Sequence, residues 1–185
     1  MSKGKLFVIS GASGVGKSTV LKKAIARRED LEFSVSATTR DPRPDEIEAV
    51  HYYFVTKDTF REMIDRSEFV EYDAHMNHFY GTPKGQLEEK LQRGNVILDI
   101  EPNGAFIVKK ARPEAVLIFI APPSMEELER RLRKRGDTSE EQIQIRLKRA
   151  RWEMEQRKKY QYIVINDRLD ACVEELLNII AREAD

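Results

Sequence analysis

In four short runs of the chain the alternation of polar and apolar positions disappears: residues 6–10, 96–100, 116–120 and 162–165. These runs are rich in β-branched and aromatic residues and have no polar alternate face, as expected of strands covered on both sides in a parallel sheet. Between them the apolar period lengthens to that of a helix, at residues 17–28, 84–93 and 169–182. The last of these places Leu169, Cys172, Val173, Leu176, Leu177 and Ile180 on one face,. Strands alternating with helices predict an α/β fold built on a doubly wound parallel sheet.

Two stretches interrupt that alternation. Residues 33–83 carry strand-like segments at 33–39, 51–55 and 69–72 and a short helical piece at 57–66, with most of the tyrosines, which predicts an inserted α+β module. Residues 124–160 are highly charged and helical, opening on a capping box formed by Ser124 and Glu127,. Gly136-Asp137 breaks that helix and Thr138-Ser139-Glu140-Glu141 starts another, so the stretch is a helical hairpin suited to a mobile lid,. The expected organisation is a core of residues 1–32, 84–123 and 161–185, a module at 33–83 and a lid at 124–160.

Composition narrows the setting. A length of 185 residues suits one elaborated domain, and 32 basic against 32 acidic residues argue neither for nucleic acid nor for disorder,. Cys172 is the only cysteine, which rules out an intrachain disulfide and a cysteine metal cluster and fits a reducing compartment,. The first apolar run is far too short for a signal peptide or a membrane span, so a cytoplasmic protein without membrane partners is expected,.

The chemistry begins at the end of the first run. Residues Gly11, Ala12, Ser13, Gly14, Val15, Gly16, Lys17 and Ser18 spell G-x-x-x-x-G-K-S between a predicted strand and a predicted helix, the pattern of a phosphate-binding P-loop,. Its glycines let backbone N–H groups turn inward toward phosphate oxygens, and the helix dipole points at the same anion. Lys17 adds a point charge and Ser18 a Mg²⁺ ligand. The four fixed positions arise by accident in roughly one chain of this length in a hundred.

A second anion site is suggested by Arg40 and Arg43, two guanidinium groups on a turn stiffened by Pro42,. Tyr52 and Tyr80 can donate to the same phosphate. Glu71, on a predicted strand, offers two acceptors that match the adjacent N1 and N2 donors of guanine, which adenine lacks. Ser36 and Thr82 can donate to the guanine O6 or N7. Taken singly, each of these three is equally readable as an ordinary strand or turn residue. Asp99 and Glu101 close the second apolar run at its carboxyl end, where such sheets place ligands. There Asp99 suits a Mg²⁺ site, held directly or through water. The charged hairpin offers Arg131, Arg135 and Arg146 for a transferring phosphoryl group, whereas Arg130, Arg133 and Lys134 read as a solvated face,.

Together these segments resemble the guanylate kinase family over essentially the whole chain. The markers are residues 10–19, Ser34-Val35-Ser36, Thr38-Thr39-Arg40 with Pro42-Arg43, Phe69-Val70-Glu71 and Tyr80-Gly81-Thr82. They continue with Leu98-Asp99-Ile100-Glu101, Ala121-Pro122-Pro123-Ser124, Arg131-Leu132 with Arg135-Gly136, and Val164-Ile165-Asn166-Asp167. The resemblance implies a P-loop NTPase-type core, a GMP-binding module and a lid, with Mg²⁺·ATP as phosphoryl donor and GMP, with dGMP, as acceptor. It assigns ATP to residues Gly11 through Thr19 and to Asn166, and the GMP phosphate to Arg40, Arg43, Tyr52 and Tyr80. The guanine falls to Ser36, Glu71, Thr82 and Glu101, and the catalytic charges to Lys17, Arg40, Arg135 and Arg146. The chain departs from the family pattern at Asp45 and Ala49, where glycines are usual, at Glu101 in place of aspartate, and at Asn103 in place of glutamine. Two alternatives remain open at this point: a phosphopeptide-binding module that has lost catalysis, against which the intact P-loop speaks, and a kinase for another phosphorylated small molecule.

Overall fold

The computed structural model describes residues 4–75, 77–134 and 139–184. In chain order the elements are β1 (Leu6–Gly11), α1 (Lys17–Ile25), β2 (Leu31–Phe33), β3 (Ser36–Thr38), β4 (Tyr52–Phe54), α2 (Lys57–Asp65), β5 (Phe69–His75) and β6 (His78–Pro83). They continue with α3 (Lys84–Arg93), β7 (Asn95–Asp99), α4 (Pro102–Ala111), β8 (Val116–Ala121), α5 (Met125–Lys134), α6 (Glu140–Gln156), β9 (Tyr162–Ile165) and α7 (Leu169–Ala184).

The four apolar runs become β1, β7, β8 and β9 of one parallel sheet in the order β2-β7-β1-β8-β9. Strand β1 lies at its centre and every residue in it is buried. Because successive side chains leave opposite faces, Phe7 and Ile9 join a core with α1, α5, α6 and α7, while Leu6 and Val8 join another with α3 and α4,. Both faces are therefore covered, the physical reason these runs lack polar alternates.

A second sheet, β4-β3-β6-β5, is mixed: β3 and β4 run parallel, and β6 is antiparallel to both β3 and β5. Its own core is aromatic, with Phe60 of α2 stacked 4.4 Å from Phe69 and 5.4 Å from Phe79, ring centre to ring centre. Thr56 caps α2 by accepting from the Thr59 amide.

Four sequence expectations change. The strand-like run at 33–39 is two strands in different sheets, since Phe33 pairs with Ile97 and the Ser34 amide still donates to Ile97, after which Ala37 pairs with Gly81. Helix α4 lies outside the helical patterns of the sequence; Pro102 opens it, where its missing N–H costs nothing,. Helix α1 stops at Ile25 rather than Arg28. The capping box forms by half: Ser124 Oγ accepts from the Glu127 amide, but the Glu127 carboxylate is taken by Arg130 and Arg131. Leu128 and Leu132 of α5 and Ile143, Leu147 and Ala150 of α6 are packed into the same core as α1 and α7. The break expected at Gly136-Asp137, with Thr138, lies outside the described residues. Among the described residues no helix is long and apolar enough to cross a membrane.

Candidate active site

The turn from β1 into α1 needs its glycines for two separate reasons. Gly14 and Gly16 have φ of 86° and 93°, backbone that other L-residues rarely adopt,. They are also crowded: a Cβ on Gly14 would lie 2.6 Å from Leu132 Cδ2, and one on Gly16 would lie 3.2 Å from Asn166 Nδ2. Asn166 steadies the loop by donating from Nδ2 to the Val15 carbonyl at 2.8 Å. Glu153 of α6 accepts from the Ser13 amide at 2.6 Å, although only 3% of that residue is exposed.

Since β1 and β7 run parallel in register, with Ile9 opposite Asp99, the chain brings Lys17 and Asp99 to the same carboxyl edge. Their side chains form an ion pair. From there a cleft of about 320 Å³ runs to the second sheet. Lys17, Asp99 and Glu101 line it from the parallel sheet, and Ser36, Arg40, Arg43, Glu46, Tyr52, Glu71, Asp73 and Tyr80 from the other side. Residues read separately from the sequence thus share one cavity.

Strand pairing accounts for their convergence. Ser36 lies opposite Tyr52, Thr38 opposite Tyr80 and Glu71 opposite Thr82. The guanidinium of Arg40 lies 5.1 Å from the centre of the Tyr52 ring and 5.8 Å from that of Phe54, held by cation–π attraction,. Its two terminal nitrogens donate to both oxygens of Glu46, each at 2.6 Å, and Glu46 also accepts from the Arg43 amide at 2.9 Å. Hydrogen bonding to Arg40 pulls the Glu46 carboxyl down to about 2. The same partner raises the pKa of Arg40. Burial raises that of the Tyr52 phenol.

Glu71 is not a surface strand residue. It is 6% exposed, accepts from the Thr82 hydroxyl at 2.6 Å, and is pushed up to about 7, chiefly by burial. Thr82 is fully buried and spends its hydroxyl on this bond. The first turn of α4 closes over Glu71, and a Cβ on Gly104 would lie 2.9 Å from its Oε2.

The hairpin arginines are dispersed. Arg131 donates to Glu127 at 2.7 Å and to the Asn166 carbonyl at 2.7 Å, beside a shallow groove formed with Gly14, Val15, Gly16 and Lys134. Arg146 is half-buried on α6 and does not line the main cleft. Arg135 lies outside the described residues. Arg130 and Arg133 form surface pairs with Glu127, and with Glu129 and Glu140.

Sequence reasoning missed Glu46, Asp73, Arg149 and Glu153. Glu46 stands six residues from Arg40 in a loop, where no period links them. Arg149 and Glu153 are four apart on a charged helix and read as a solvated pair,.

Comparisons with known proteins place the chain in a family. The family model described as guanylate kinase matches residues 3–183. A guanylate kinase of Thermus thermophilus is 48% identical over 98% of this chain and 82% of its own length. One from Oceanobacillus iheyensis is 45% identical over 98% of this chain and 88% of its own. Among solved structures, the guanylate kinase of Anaplasma phagocytophilum superposes with a TM-score of 0.81 at 34% identity, over 99% of this chain and 87% of that one. The chain therefore belongs to the guanylate kinase family, enzymes that phosphorylate GMP with ATP.

Proposed function

We propose that this chain transfers the γ-phosphoryl group of ATP in line to the phosphate of GMP, and of dGMP, giving ADP and GDP or dGDP. One observation carries the reading: a single cleft has the P-loop Lys17 at one end and, at the other, an arginine–tyrosine cluster beside a buried carboxylate. Residues 11–19 and Asn166 are the ATP side. Arg40, Arg43, Tyr52 and Tyr80 take the GMP phosphate, with Glu46 fixing the Arg40 fork in its plane,. Ser36, Glu71 and Glu101 take the guanine, with Thr82 orienting Glu71.

Little covalent chemistry is asked of the protein in such a transfer; positioning and charge supply the acceleration. Lys17 and Arg40 flank the path of the phosphoryl group, and Arg135 and Arg146 add lid charge when water is excluded. The Ser18 hydroxyl and the Asp99 carboxylate are the donors for Mg²⁺. No group of three acidic, His or Cys residues suited to a metal occurs among the described residues, and one carboxylate plus a hydroxyl fits an ion that draws its other ligands from water and substrate phosphates,. When bound, it would offset charge on the β- and γ-oxygens. In this reading residues 1–32, 84–123 and 161–185 are the core, 33–83 the acceptor module and 124–160 the lid, with Phe33 already part of the core sheet.

The test is an ADP-release assay with GMP, dGMP, AMP, UMP and CMP as acceptors. GMP and dGMP should turn over, with kcat/KM for the others lower by about a hundredfold or more. AMP or UMP outperforming GMP would overturn the proposal.

A further inference from the structure

Arg149 stands between two carboxylates, one lining the acceptor side of the cleft and one bound to the P-loop. One terminal nitrogen pairs with Glu101, the residue that precedes α4 and lines the acceptor side. Its Nε donates to Glu153 Oε1 at 3.0 Å, and the other oxygen of Glu153 receives the Ser13 amide of the P-loop at 2.6 Å. A continuous chain of charge-assisted bonds thus runs from the acceptor pocket to the donor loop, through one arginine of the helical hairpin.

The two ends differ in freedom. The Glu153 side chain is 4% exposed and tied to backbone, so a carboxylate there must keep its partners,. The Glu101 side chain is 49% exposed, so it can exchange Arg149 for another donor at little cost,. A base bearing N–H donors is such a partner. Once Glu101 turns to it, the arm of Arg149 that Glu101 held is released while Nε stays anchored beside the P-loop, where the donor's anionic phosphates lie.

We propose that Arg149 couples the two substrate sites: acceptor binding at Glu101 releases part of its guanidinium toward the donor phosphates, so that each substrate tightens the other. This rests on the donor and acceptor reading above and adds to it a residue and a coupling. Linkage requires the factor to be the same in both directions, which makes the claim internally checkable.

The experiment is titration calorimetry of GMP, of AMP-PNP with Mg²⁺, and of each in the presence of saturating partner. It is run on the wild-type chain and on Arg149→Met and Arg149→Lys. In the wild type each ligand should tighten the other about fivefold or more. In Arg149→Met the factor should fall to about 1, while GMP alone binds as well as before or better, because nothing then competes for Glu101. Arg149→Lys keeps a charge without the fork and should retain part of the coupling. Arg149 is 26% exposed at its side chain, and the lysine variant carries the test should the methionine variant fold poorly. Full coupling in both variants, uniform weakening of both ligands with coupling intact, or a wild type without coupling would each overturn the inference. A wild type that binds AMP-PNP but not GMP would instead overturn the proposed function, and is distinguishable on the first titration.

Discussion

Burial gives Glu71 two properties that a surface carboxylate lacks. Its ionised form is costly, which raises its pKa from 4.5 to about 7, and an unpaired acceptor there costs more than one in water,. The folded chain therefore holds the Glu71 proton more tightly than the unfolded chain, and this group makes stability fall as pH rises from 4.5 to about 7, with no further change above,. The proposed guanine recognition by Glu71 runs the other way, since only the carboxylate presents two acceptors. We expect kcat/KM for GMP to rise as pH passes through about 7,. Glu71→Gln should flatten that limb and lower kcat/KM for GMP by about a hundredfold, with melting temperature kept or raised above that pH. A pH–rate profile of both proteins, alongside thermal melts, checks both signs. Sequence singled out Lys17, Arg40, Arg43 and Glu71 from the chemistry of their own side chains, and all four line the one cleft. It was illegible at Glu46 and Glu153, because an acidic residue near an arginine looks the same in sequence whether the pair is solvated or lines a cleft.

At the scale of elements, the loop between β3 and β4 carries a cost. Ala49 has φ of 62°, one of the two positions where the sequence departs from a family glycine, and its amide donates to the Tyr52 carbonyl at 2.9 Å. The left-handed conformation costs a non-glycine residue about 1–2 kcal/mol, against about 0.5–1 kcal/mol for the extra unfolded-state freedom of glycine. Ala49→Gly should therefore stabilise the chain by about 0.5–1 kcal/mol in urea unfolding with an unchanged slope, and leave Tyr52 in place. Asp45, the other departure, is not among the positive-φ residues. Period and turn chemistry located β1, β7, β8, β9, α3 and α7 because each buries a face that composition marks. They failed at β2 and β3, where one strand-like segment is divided between two sheets, and at α4, whose first turn carries Pro102 and Gly104, residues that weigh against a helix,. In α4 the small residue is required by the carboxylate packed against Gly104, a contact of long range.

For the whole molecule, ligand binding and folding are linked through one cleft that both sheets build. GMP at about a hundred times its Kd should stabilise the fold by about 2.7 kcal/mol, raising Tm by roughly 5–10 °C, whereas AMP at the same concentration should not. Thermal melts with GMP, AMP and AMP-PNP measure this without turnover. The hairpin α5–α6 bears on the same property, since its apolar face is part of the main core and Leu132 packs on Gly14. The helices therefore bear directly on the shape of the P-loop.

Sequence alone was enough for the fold class and for the glycine-rich turn from β1 into α1, because those follow from period and from chemistry held within a few neighbouring residues. Only the tertiary structure decided that Lys17 meets Asp99, that Arg40 is clamped by Glu46, that Glu71 is buried, and that Arg149 joins Glu101 to Glu153. Each of those is a pairing across elements or a matter of burial. Its energy depends on how much water the packing removes, a quantity that no local stretch of sequence contains.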